Sequence, residues 1–121
     1  MDALKPDIFY EPPTHGIVYG LFASDEPLQI RYVGKTTRSP ESRLWAHCSS
    51  YDSRRVRAWV ELVATRRAKV GLRVFGEYPL CELVYAERKW ISFWLSYCEL
   101  NNTQQHPERR AECYSRDHRG L

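Results

Sequence analysis

At 121 residues the chain has room for one compact domain, and a second folded domain is excluded. Hydrophobic residues at 43% and aromatics at 13% suffice for a core, which excludes wholesale disorder, and no apolar run approaches the ~18–20 residues of a membrane span. The net charge of +3 is unevenly spread: residues 1–30 carry −4, residues 31–73 carry +8 and residues 74–121 carry −1.

Fourteen of the eighteen basic residues are Arg, whose planar fork pairs with phosphate where Lys offers only a point charge. A polyanionic partner is therefore expected, against the plainer reading of a solvated helix face. The N-terminus, with Asp2, Lys5 and Asp7, lacks the apolar stretch of a signal peptide, so the chain reads as soluble and intracellular. Cys48, Cys81, Cys98 and Cys113 include no C-x-x-C pair. A tail set of Cys98, His106, Cys113 and His118 matches no regular zinc spacing, and free thiols in a reducing compartment are expected.

Residues 1–13 mix acids with three prolines and read as an extended lead-in. Residues 16–23, GIVYGLFA, form a continuous apolar run and predict a buried strand. Ser24 to Pro27 supplies turn chemistry, and residues 28–33, LQIRYV, alternate as the second strand of a hairpin ending at Gly34. Ser39 followed by Pro40 is a helix start: a hydroxyl cap, then a proline where its missing N–H costs nothing. That helix should run to about Cys48. Asp52 caps a second helix, with Val56, Trp59, Val60, Val63 and Ala64 at helical spacing, closed by Gly71. Residues 72–78, LRVFGEY, predict a third strand ended by Pro79. A last helix over 82–98 is stopped by the asparagine pair at 101 and 102. Strand, strand, helix, helix, strand, helix predicts an α+β domain: a small three-stranded, mostly antiparallel sheet flanked by helices. The stretch from 104 to 121 has no apolar periodicity and reads as a tail.

On the last helix Glu87 falls between Leu83 and Ile91 on an apolar stripe that also carries Trp90 and Trp94. A carboxylate on a covered face asks for a cation: an Arg, a Lys or a metal ion. In the helix opened by Ser39 and Pro40, Arg43 and His47 are four residues apart and share a face, so both can reach one anion, and a guanidinium beside an imidazole suits phosphate. Tyr19 and Tyr32 lie on the two hairpin strands, where a core role is the ordinary reading. A phenol acting as a base needs positive charge beside it, since its unperturbed pKa is near 10. Lys35 is a candidate to supply that charge.

Taken together, these residues resemble the GIY-YIG nuclease family. The motif stands as GIVYG at 16–20 and YVG at 32–34, followed by Arg43, His47, Glu87 in AERKWI and Asn101 in LNNT. The chain carries Ile17-Val18-Tyr19 where the name-giving tripeptide is Gly-Ile-Tyr, and the resemblance covers residues 16–103. It implies a nuclease domain over 14–103 that hydrolyses DNA phosphodiesters with one divalent metal, Mg2+ or Mn2+, held by Glu87. Arg43 would stabilise the pentavalent transition state. Tyr19 would be the candidate base, with Tyr32 orienting the nucleophile or phosphate and His47 sharing the proton transfer. Asn101 would position the end of the last helix, with Asn102 in its place if the register differs by one. The alternative is a catalytically silent nucleic-acid-binding module of the same fold.

The Arg-rich stretch 54–69 is expected to grip phosphates without reading bases, through Arg54, Arg55, Arg57, Arg66, Arg67 and Lys69, with Arg38 nearby. RNA stays open as a substrate beside DNA. A homodimer or a separate specificity partner would be needed for a concerted double-strand cut. The expected location is the cytoplasm, of a bacterium or a phage-infected cell.

Overall fold

The computed structural model describes residues 5–49 and 53–102. In chain order these form β1 (His15–Ala23), β2 (Tyr32–Thr36), α1 (Pro40–Ser49), α2 (Arg54–Thr65), β3 (Val70–Pro79) and α3 (Leu80–Leu95). The strands make one antiparallel sheet in the order β2-β1-β3, so the expected α+β architecture is the observed one. Among the described residues, no helix is long and apolar enough to cross a membrane. Asp52, His106, Cys113, His118 and the whole stretch 104–121 lie outside the described residues.

Side chains alternate across β1 and divide the core in two. Val18 joins Ile30, Val33, Leu83, Ile91 and Leu100 in the layer between the sheet and α3. Tyr19, Leu21 and Ala23 point the other way, against Val56, Trp59 and Val63 of α2. Each fully buried aliphatic side chain contributes about 1.5–3 kcal/mol.

The second strand lies further along the chain than the alternation at 28–33 suggests. The turn after β1 consumes residues 24–31 through Glu26 N–H to Ala23 O, Gln29 N–H to Glu26 O and Arg31 N–H to Leu21 O. Pairing then runs Leu21 with Tyr32, Tyr19 with Gly34, Val18 with Lys35 and Ile17 with Thr36. Gly34 is thus inside the strand rather than at its end. Opposite β1, the register of β3 shifts between Val18 and Tyr19, a β-bulge that lets Val74 rather than Phe75 face Tyr19.

Helix ends follow local chemistry. At α1, Ser39 Oγ accepts from Ser42 N–H at 3.1 Å, as its sequence predicts. At α2 the cap is Ser53, whose Oγ accepts from Val56 N–H at 3.4 Å. That helix stops at Thr65, well before Gly71: Arg67 takes φ 59°, and Ala68 N–H returns to Val63 O at 3.1 Å. This is the left-handed C-terminal closure usually given to glycine, and Gly71 instead pairs with Phe22 inside β3. Helix α3 begins directly after Pro79, and Leu80 N–H is satisfied by Thr14 O at 3.1 Å. It ends at Leu95, three residues before the expected Cys98.

Candidate active site

The face of the sheet covered by α1 and α2 brings together four of the residues singled out in the sequence. Tyr19 is fully buried, and its oxygen lies 2.5 Å from His47 Nε2 and accepts from Arg43 Nε at 3.0 Å. His47 is 2% exposed, an uncommon burial for a polar helix residue. Tyr32 packs edge-on against the His47 ring at 5.1 Å between centroids and lies 6.3 Å from the Tyr19 ring. The four-residue step from Arg43 to His47 is what lets one helical turn deliver both groups to one phenol.

This arrangement directs a proton. The Arg43 Nε–H only donates, so its bond occupies a lone pair of the Tyr19 oxygen, and the phenol's own proton is aimed at His47 Nε2 when that nitrogen is bare. If the proton crosses to the imidazole, the resulting phenolate accepts from two cations at once. The charge beside the phenol is therefore Arg43. Lys35, the candidate named for that role, pairs with Val18 on the opposite face and carries its ammonium to Glu87, with Nζ 3.6 Å from Oε1. Strand alternation is the reason: a one-residue step from Gly34 reverses the side.

Glu87 has the cation that its place on the apolar stripe demands, and its side chain is 17% exposed. Among the described residues no three of His, Cys, Asp and Glu cluster as metal ligands. A lone carboxylate still fits Mg2+, a hard cation that takes oxygen donors and keeps most of its waters.

Asparagine 101 gives only its backbone N–H to the sheet, donating to Arg31 O at 2.6 Å. Asn102 is the structural residue: its Oδ1 accepts from Val33 N–H at 2.9 Å and its Nδ2 donates to Val33 O at 2.6 Å. The register thus differs by one from the primary assignment, because the buried position is fixed by a contact 69 residues away.

Gly34 is a site residue that sequence reading treated only as part of a motif. A Cβ there would stand 2.5 Å from the Tyr19 oxygen and 2.7 Å from Tyr32 Cε2. The buried phenol cannot retreat, so Gly34→Ala is expected to cost about 1–3 kcal/mol. Thermal unfolding checks this, and a Tm equal to that of the unaltered chain would mean the two rings yield freely.

The basic stretch divides. Arg54, Arg55, Arg67 and Lys69 are exposed, as is Arg38 ahead of α1. Arg57 pairs with Glu61 at 3.6 Å, an exposed i,i+4 contact. Arg66 is not a phosphate-binding candidate as expected. Its guanidinium is spent on a two-pronged bond to Asp25 at 2.9 and 3.0 Å and on Glu26 at 3.3 Å. The Arg66 hydrogen bond holds the Asp25 carboxyl below its usual range. A carboxyl lowered by folding adds stability above its unfolded pKa, and that stability is lost as pH falls through the folded value. Asp25→Asn is therefore expected to flatten the fall in stability below about pH 4, measured by urea unfolding across acid pH. An unchanged acid limb would count against it.

No protein-family model matches the chain, and no curated protein or solved structure matches it.

Proposed function

We propose that the chain is a metal-dependent endonuclease of the GIY-YIG kind, hydrolysing DNA phosphodiesters at the Tyr19–Arg43–His47 cluster. The observation that carries this reading is the buried Tyr19 oxygen held between Arg43 Nε and His47 Nε2. A merely structural tyrosine needs one partner, whereas this one is joined to a guanidinium and an imidazole, the pair suited to binding phosphate and moving a proton.

Burial orders the parts. Tyr19 and His47 are inside, while Arg43 and Tyr32 are half-buried. A scissile phosphate meets Arg43 and Tyr32 first, and the Tyr19–His47 pair stands behind them as the proton reservoir. Arg43 then has two roles: its Nε fixes the phenol and its terminal nitrogens stabilise charge on the phosphate oxygens. Glu87, which meets Lys35 on the α3 side of the sheet, is the carboxylate that would hold a divalent ion, and the chemistry such an ion would supply is Lewis-acid neutralisation of the phosphate and leaving oxygen. Lys35 stands beside that carboxylate, with Nζ 3.6 Å from Oε1. The exposed arginines at the start of α2 add phosphate contacts that are independent of sequence.

The test is nicking of supercoiled plasmid with Mg2+ or Mn2+, with EDTA and Glu87→Ala in parallel. Loss of several kcal/mol of charge stabilisation corresponds to a rate lower by about 10²–10³-fold. Cutting that survives both EDTA and the substitution would overturn the reading, as would no cutting by the intact chain on plasmid, single-stranded or branched DNA.

A further inference from the structure

Between the end of β3 and one flank of α3 runs a groove of about 410 Å3 lined by Tyr78, Glu82, Tyr85, Lys89, Trp90 and Phe93. Its floor is built and rigid. Trp90 stacks on Phe75 at 4.7 Å and donates through Nε1 to the Tyr78 oxygen at 2.9 Å. Its walls are left open: Tyr85 is 63% exposed and Phe93 47%. Lys89 lies over the Tyr85 ring at 5.2 Å, which puts a positive charge on the rim.

The same chain carries a second apolar feature that nothing among the described residues covers. In the extended lead-in, Ile8, Phe9 and Tyr10 are 94%, 79% and 83% exposed. They are flanked by Asp7 and Glu11 and bracketed by Pro6 and by Pro12-Pro13. Prolines of this kind hold an extended, low-entropy strand, the form that aromatic-lined grooves accept. The acids that flank the segment complement Lys89 on the rim, at the end of the groove away from Glu82.

We propose that the groove binds the Ile8-Phe9-Tyr10 segment of a second copy of this chain, by reciprocal exchange across a twofold axis. The lead-in leaves β1 beside the first turn of α3, where Thr14 O meets Leu80 N–H. Its apolar side chains nevertheless stand in solvent while the groove of their own chain is unfilled. Pro12 and Pro13, one residue ahead of β1, have fixed φ and so limit how freely the segment turns back onto its own chain. A twofold exchange satisfies both features on both copies, the self-complementary logic of a closed dimer. Six side chains, the aromatics at about 150–250 Å2 each, together with the groove walls they cover, reach the roughly 1,200 Å2 at which stable interfaces begin.

Sedimentation velocity on the full chain over a wide concentration range, without nucleic acid, tests this independently of any nuclease activity. The intact chain should show a monomer–dimer equilibrium. Phe9→Asp/Tyr10→Asp, at exposed positions that cannot harm the core, and Tyr85→Ala/Phe93→Ala should each weaken it at least about tenfold. Mixing the two variants should restore a heterodimer by native mass spectrometry, since one intact segment then meets one intact groove. A chain that is monomeric at every concentration overturns the proposal. So does a dimer that neither double variant weakens, or a monomer in which Phe9→Asp/Tyr10→Asp changes the hydrogen exchange of residues 82–93, which would place the segment in its own groove.

Discussion

Tyr19→Phe is expected to cut DNA about 10²–10⁴-fold more slowly than the intact chain, the usual worth of a positioned acid–base group. The substitution removes one oxygen and leaves the ring in its place between β1 and α1. Two consequences follow from that atom. Arg43 Nε and His47 Nε2 each lose the hydrogen bond they make to that oxygen. Losing a buried hydrogen bond also costs stability, about 0.5–1.5 kcal/mol each, so rate and Tm belong in the same experiment. A change in the shape of the pH–rate profile separates a proton-handling role from a purely structural one, because loss of packing alone scales the profile without moving it. Tyr32→Phe gives the comparison: its ring contact with His47 survives, and a smaller loss is expected. Equal rates for Tyr19→Phe and the intact chain would end the case for the cluster as catalytic machinery.

The largest expected effect on stability is at Asn102. Removing its amide strands both the N–H and the carbonyl of Val33 in a buried setting, at a cost of about 3 kcal/mol for the pair. For a domain of this size, 1 kcal/mol corresponds to roughly 4–8 °C, so Asn102→Ala should lower Tm by on the order of 10–20 °C. Asn101→Ala is the internal control. Asn101 contributes its backbone, which alanine keeps, and the change should lie within about 0.5 kcal/mol of zero. The reverse order of effects would show that the residue 101 side chain, not that of 102, anchors the end of the chain.

Elements whose cause is local were legible in the sequence. β1 is announced by an uninterrupted apolar run, α1 by Ser39-Pro40, and the core face of α2 by Val56, Trp59 and Val63 at helical spacing. What could not be read depends on distant parts of the chain. The strand at 32–36 is set by its pairing with β1, which places Gly34 where the Tyr19 oxygen needs space. A glycine followed by a run of polar residues looks from sequence like a strand end. The end of α2 rests on an arginine in a left-handed conformation, for which no composition rule gives warning. Arg66 was indistinguishable from its basic neighbours because Asp25, 41 positions earlier, is what neutralises it. Within the site, the helical step from Arg43 to His47 was visible, but the atom on which they converge was not.

The Asn102 amide has the shape and polarity of a peptide group, and it offers Val33 the donor and acceptor that a neighbouring strand would offer. β2 stands at the outside of the sheet, where unsatisfied backbone invites another chain to add itself. With Asn101 and Asn102 bonded along residues 31–33, that border is already occupied by the chain's own later residues. The two asparagines thus take up the outward backbone groups of Arg31 and Val33, where an added strand would otherwise begin to pair with β2.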